Sequence, residues 1–393
     1  MRISDHGGHG LGPTRRSRPT EPWTWPVSHR SGRPRTSERH AEAIAFAERA
    51  IKLASTLGLP APARALGLRG GARFALGDAG GLNDTRRALE AALGQGLSRE
   101  TAVRYNNFAE DLGRAEGPRA RLELARQGAA FTQRRGIAEW VRSLGGLTTR
   151  ALADLGRIDE ARALTIKLLS DPDNSRGPDI PALPTRPLTP DCLLGAASSP
   201  RPARVEWIEQ AVKQAREFGE PQWLSTLLVL AAVARAGAGD ARSAVTLLTE
   251  LEQVHNVRHT PEYMPSLPEI LRVTIAAGEP GLAERFAAGL APVHPLDQHA
   301  LVTARAQLAG HRGEHCEAAA LYAGAERRWK KFEMPWERAH ALLGHGRCLL
   351  GPGRPAEARE LLRAAREIFA SLGATSALTE TDKCLARATA LTG

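Results

Sequence analysis

The sequence predicts an all-α fold, a solenoid of stacked helical hairpins with a repeat of about 40 residues. Three observations carry this. The first is composition. Alanine and leucine dominate, strand-forming residues are few, and aromatics are only 5% of the 393 residues, which favours helix over sheet. The second is punctuation. Gly77, Gly117, Gly156, Gly239, Gly278, Gly313 and Gly353 follow one another at steps of 40, 39, 83, 39, 35 and 40 residues, the long step being two periods with one turn missing. The third is internal grammar. Alanine stands five residues after five of these glycines, at Ala161, Ala244, Ala283, Ala318 and Ala358. A small residue there lets the two helices of a hairpin approach closely.

Taken in chain order, residues 1–38 are rich in Arg, Pro, Gly, Ser and His and lack apolar periodicity. They read as a disordered basic extension, dispensable to the core, in which Trp23 and Trp25 stand out. The helical-repeat domain spans 39–393. Phe46, Ala50, Leu53 and Leu57 share one helical face, closed by Gly58. Tyr105, Phe108 and Leu112 form a buried stripe on the first helix of a hairpin, although Gly96–Gly113 superficially resembles a DNA-reading helix. A Pro-rich segment at 170–203 interrupts the array without shifting the repeat, and a helix resumes at Val205. Ala358, Leu361, Leu362, Ala365, Ile368, Phe369 and Leu372 make the clearest stripe of all, ended by Gly373. Trp140, Trp223, Tyr263 and Trp336 precede their glycines by 15 to 17 residues and are expected to staple one hairpin to the next.

The bulk numbers narrow the function. The net charge is +10, of which the extension holds +4; the remainder is interleaved Arg and Glu, the pattern of solvated helix faces. This argues against a nucleic-acid partner. Cys192, Cys316, Cys348 and Cys384 lie far apart, which fits a reducing, cytoplasmic compartment. The longest apolar run, near Trp223–Ala234, is too short to span a bilayer. No phosphate-binding glycine loop, dinucleotide fingerprint, nucleophile elbow or zincin motif occurs. His311, His315 and Cys316, and His340, His345 and Cys348, lack the partners that would complete a metal set. No enzyme activity and no cofactor are expected.

The strings ALADLGRIDEARAL, ERAHALLGHGRCLLGPGRPAEARELL and AREIFASLGA, with Gly346 as the small first-helix residue and Ala358 as the second-helix alanine, resemble the tetratricopeptide repeat (TPR). The longer period resembles the C-terminal helical arrays of actinobacterial ATP-dependent transcriptional regulators and of nucleotide cyclases with an ATPase and TPR tail. The resemblance implies a superhelix whose first helices line a groove for protein segments. It further implies that the position six residues before the glycine lines that groove, which for the last five glycines is Arg150, Val233, Arg272, Gln307 and Arg347. Arg150, Arg272 and Arg347, with Gln307, are the candidate partner-binding residues, and an acidic protein or peptide segment is the expected partner. The expected function is a non-enzymatic interaction scaffold in bacterial signalling or regulation. The alternative is the detached sensor or effector arm of such a regulator or cyclase, without its catalytic domains.

Overall fold

The structure, a computed structural model, describes residues 36–170, 201–351 and 353–391. Residues 1–35 and 171–200, which hold Trp23, Trp25, Cys192 and most of the Pro-rich segment, lie outside the described residues. Those described contain α-helices and no strand. The helices are α1 Thr36–Thr56, α2 Ala63–Ala75, α3 Gly80–Gly94, α4 Ser98–Ala115, α5 Pro118–Arg134, α6 Ala138–Asp154 and α7 Ile158–Ser170. After the undescribed stretch come α8 Arg201–Phe218, α9 Pro221–Gly237, α10 Ala241–Gln253, α11 Tyr263–Ala276 and α12 Pro280–Ala287. The last five are α13 Pro295–His311, α14 His315–Lys331, α15 Pro335–Leu350, α16 Pro355–Ser371 and α17 Thr375–Ala390. Two boundaries differ from expectation. The first helix already begins at Thr36, and α8 begins at Arg201 rather than Val205. Pro202 falls in the first turn of α8, where a missing N–H costs no helical hydrogen bond.

The seven periodic glycines each join a first helix to a second one. Their φ angles are 85, 109, 75, 87, 81, 79 and 72°, a region that a Cβ disfavours. The return turns between hairpins use the same conformation, with Gly96, Gly136, Gly289 and Gly373 at positive φ. Two return turns place another residue there: Asn256, between α10 and α11, at φ 59°, and Glu333, between α14 and α15, at φ 57°.

The packing alanines are buried as the repeat grammar requires. Ala244, Ala283, Ala318 and Ala358 are 0% exposed and Ala161 is 2% exposed. Opposite Ala358, a methyl group added to Gly346 would stand 2.8 Å from the Leu362 side chain, so only glycine lets α15 lie this close to α16. Ala358, Leu362, Ala365, Phe369 and Leu372 form the inner stripe of α16, with Leu361 and Ile368 half-buried beside it. Apolar clusters then run on from hairpin to hairpin, over α8–α13, α13–α15 and α15–α17. That continuous stack is the solenoid.

Tyr263 and Trp336 make their hydrogen-bond and ring contacts to the second helix of their own hairpins. Tyr263 donates a 2.7 Å hydrogen bond to the Phe286 carbonyl, and the Trp336 ring meets Phe369 edge-on at 5.8 Å. Both therefore close the open end of their own hairpin, because the start of a first helix lies beside the end of its second. Trp140 packs on the cluster of the preceding hairpin. On α1, the shared face of Phe46, Leu53 and Leu57 is about 60% exposed. Ala47 and Ala54, on another face, make the buried contact.

The array also closes on itself. A methyl group on Gly77 would stand 3.1 Å from Val293, one on Gly117 3.1 Å from the Phe332 carbonyl, and one on Gly156 2.8 Å from Leu372. These separations along the chain are 216, 215 and 216 residues. Three successive turns of the N-terminal half thus dock, in order, on three successive return turns of the C-terminal half. The Phe74 ring stacks on His294 at 4.0 Å, and Arg114 pairs with Asp297 at 2.6 Å across the same seam.

Candidate functional site

The first helices form the inner layer of the array. In α9 every residue from Ser225 to Ala234 is buried, so that helix is covered on all sides. A helix so placed must satisfy any polar side chain it carries within the protein. The inner layer carries many.

Arg150 on α6 is 6% exposed and lies 3.4 Å from Glu110 on α4 and 3.9 Å from Asp154. Arg121 on α5, 1% exposed, pairs with Asp154 at 3.1 Å and Glu110 at 3.5 Å. Its guanidinium lies under Gly113, where a methyl group would come within 2.3 Å of it. Burial is the main influence on Arg121 and pulls its pKa below the ordinary arginine range. Glu262, at the start of α11, accepts a 2.8 Å hydrogen bond from Gln222, and burial raises its pKa, with Arg150 opposing. Asp111 on α4 is pushed up to about 7 by burial, with Arg114 acting against it.

Arg272 on α11 holds Glu269 on its own helix and Glu337 on α15, the latter through two contacts of 3.2 Å. Burial opposes its charge, but these carboxylates outweigh burial and raise its pKa. Arg347 on α15 is 58% exposed and pairs with Glu380 on α17 at 2.6 Å. Gln307 on α13 is 9% exposed and donates a 2.9 Å hydrogen bond to the carbonyl of Pro268 inside α11.

The four sequence-derived candidates thus differ in setting. Each of the three arginines pairs with an acid on another first helix, so all three belong to the inner layer. Arg150 and Arg272 are enclosed, whereas Arg347 faces solvent. Sequence reasoning missed Arg121, which lies on a second helix, and it missed every acidic partner. Among the described residues no three His, Cys, Asp or Glu side chains cluster to hold a metal, and no helix is long and apolar enough to cross a membrane.

No family model and no curated protein matches the chain. Among solved structures it is similar to a circular tandem repeat protein with a novel repeat topology, at 15% identity over 90% of each chain and a TM-score of 0.22. It is also similar to the TPR domain of P58(IPK), at 13% identity over 90% of this chain and 98% of that one, again with a TM-score of 0.22. The assignment of a helical solenoid stands on the hairpin stack itself.

Proposed function

We propose that this chain is a non-enzymatic, TPR-like scaffold that binds an acidic segment of another protein through its inner arginines. The observation that carries the reading is the recurrence of carboxylate capture at one repeat position. Arg150, Arg272 and Arg347 each hold a glutamate borrowed from another first helix. Planar guanidinium groups suit that task because they offer paired N–H donors to a carboxylate. In this reading the chain's own Glu110, Glu337 and Glu380 occupy the places that a partner's acids take over. Gln307 lines the same layer. A scaffold of this kind acts in bacterial signalling or regulation, in the cytoplasm. The test is capture of a Glu-rich peptide by the intact chain at low and high salt. The reading expects binding that weakens with salt and is lost in Arg347→Glu. Equal capture by wild type and variant would remove it.

The exposed Phe46, Leu53 and Leu57 face of α1 favours a second reading, in which the array is an arm docked on a further helical unit. That is the arrangement of the ATP-dependent regulators and cyclases that the repeats resemble. Coexpression with the ATPase unit of such a regulator tests it. Protection of Phe46 and Leu53 from exchange or labelling is the expected result, and unchanged exposure contradicts it.

A further inference from the structure

The seam is built from turns and the helix ends beside them. Its apolar contacts include Gly77 on Val293, Gly117 on Phe332 and Gly156 on Leu372, with the Phe74 ring stacked on His294. Its charged contacts are the enclosed Arg114–Asp297 pair and the exposed Arg119–Glu333 pair, the latter with contacts of 2.8 and 3.0 Å. Contacts between turns and helix ends bury less apolar surface than whole helix faces do, so the seam is weaker than the stacking within each half. A second, independent observation singles out one residue. Glu333 sits at positive φ, where the other described return turns have glycine or, in the turn before α11, Asn256, a residue whose short polar side chain tolerates that conformation. A side chain with a Cβ is disfavoured there, so the backbone of this turn works against glutamate. The same glutamate supplies the carboxylate that reaches across the seam to Arg119. The residue that loses locally is the residue that closes the array.

We propose that the seam is a latch that holds the array closed over its inner arginines, with Glu333 as the contact that releases it. Opening of the seam gives an acidic partner access to the inner layer, where Arg150 and Arg272 pair with acids of nearby helices. The part about the partner rests on the function proposed above, whereas the latch does not.

Glu333→Gly separates the two effects of this residue. Glycine relieves the turn, so the variant folds and melts no lower than the wild type. It also removes the partner of Arg119, an exposed pair whose loss changes an opening equilibrium by up to about fivefold. Amide hydrogen exchange at the turns around Gly77, Gly117 and Val293 is expected to speed up by about that factor. Salt should accelerate exchange there in the wild type and not in the variant. The swapped pair, Arg119→Glu with Glu333→Arg, should restore slow exchange. Binding of poly-L-glutamate should tighten by up to about fivefold in Glu333→Gly, because apparent affinity scales with the competent fraction. Unchanged seam exchange in Glu333→Gly would overturn the latch. Faster exchange with no gain in poly-L-glutamate binding would uphold the latch and remove the acidic-partner reading instead.

Discussion

Arg150 shows what a single residue contributes in this array. It lies among Glu110, Asp154 and Glu262, all on helices of the inner layer or next to it. Arg150→Glu would leave those acids facing another acid in a largely enclosed site. The expected loss is about 3–5 kcal/mol, read from chemical denaturation. A reversal at exposed Arg347 should cost less than about 1 kcal/mol. His294 gives a second residue-scale prediction. Burial first, and Arg114 second, lower its pKa from 6.5 to about 4. The unfolded chain takes up that proton near pH 6.5 and the folded chain does not. The stabilising contribution is therefore complete above about pH 6.5 and is lost as pH falls toward 4. Asp111, raised to about 7, runs the opposite way across much of the same range. His294→Phe, which keeps the stack on Phe74, should flatten the fall in melting temperature between pH 7 and 5. An unaltered slope would contradict the placement of His294. The repeat position of Arg150 and Arg272 was legible in the sequence. Their partners were not, because Glu110 and Glu337 are 40 and 65 residues away and meet them only through the curvature of the array.

At the scale of the element, the hairpin is where sequence and structure agree most closely. Glycines at positive φ and alanines at the helix crossing are local requirements, so they leave a period that can be read directly. Ala318→Leu and Ala283→Leu should each overpack a fully buried crossing and cost about 1–3 kcal/mol in equilibrium unfolding. Neutral results at both would mean that the helices cross elsewhere. A further local signal went unread. Proline opens α5, α9, α12, α13, α15 and α16, and proline at the first helical position marks a helix start as clearly as glycine marks an end. The Glu333 turn was hidden for the opposite reason, since it takes the glycine conformation without glycine. The exposed face of α1 was equally hidden. Periodicity shows that Phe46, Leu53 and Leu57 share a face, but not whether any element lies against it.

At the scale of the whole molecule, the array is defined by its closure. One pass of the array returns to itself after about 216 residues, a distance set by how far each hairpin rotates against the last. No local pattern encodes that sum, so the seam could not be read from the sequence. Closure explains why Arg114 finds Asp297 and why Phe74 finds His294. The distance between spin labels at exposed Glu116 and Lys331, on the two sides of the seam, tests this most directly. A short, narrow distance distribution is expected in the otherwise unmodified chain at low salt, broadening toward longer distances in Glu333→Gly or at high salt. A long, broad distribution already present at low salt without Glu333→Gly would contradict closure.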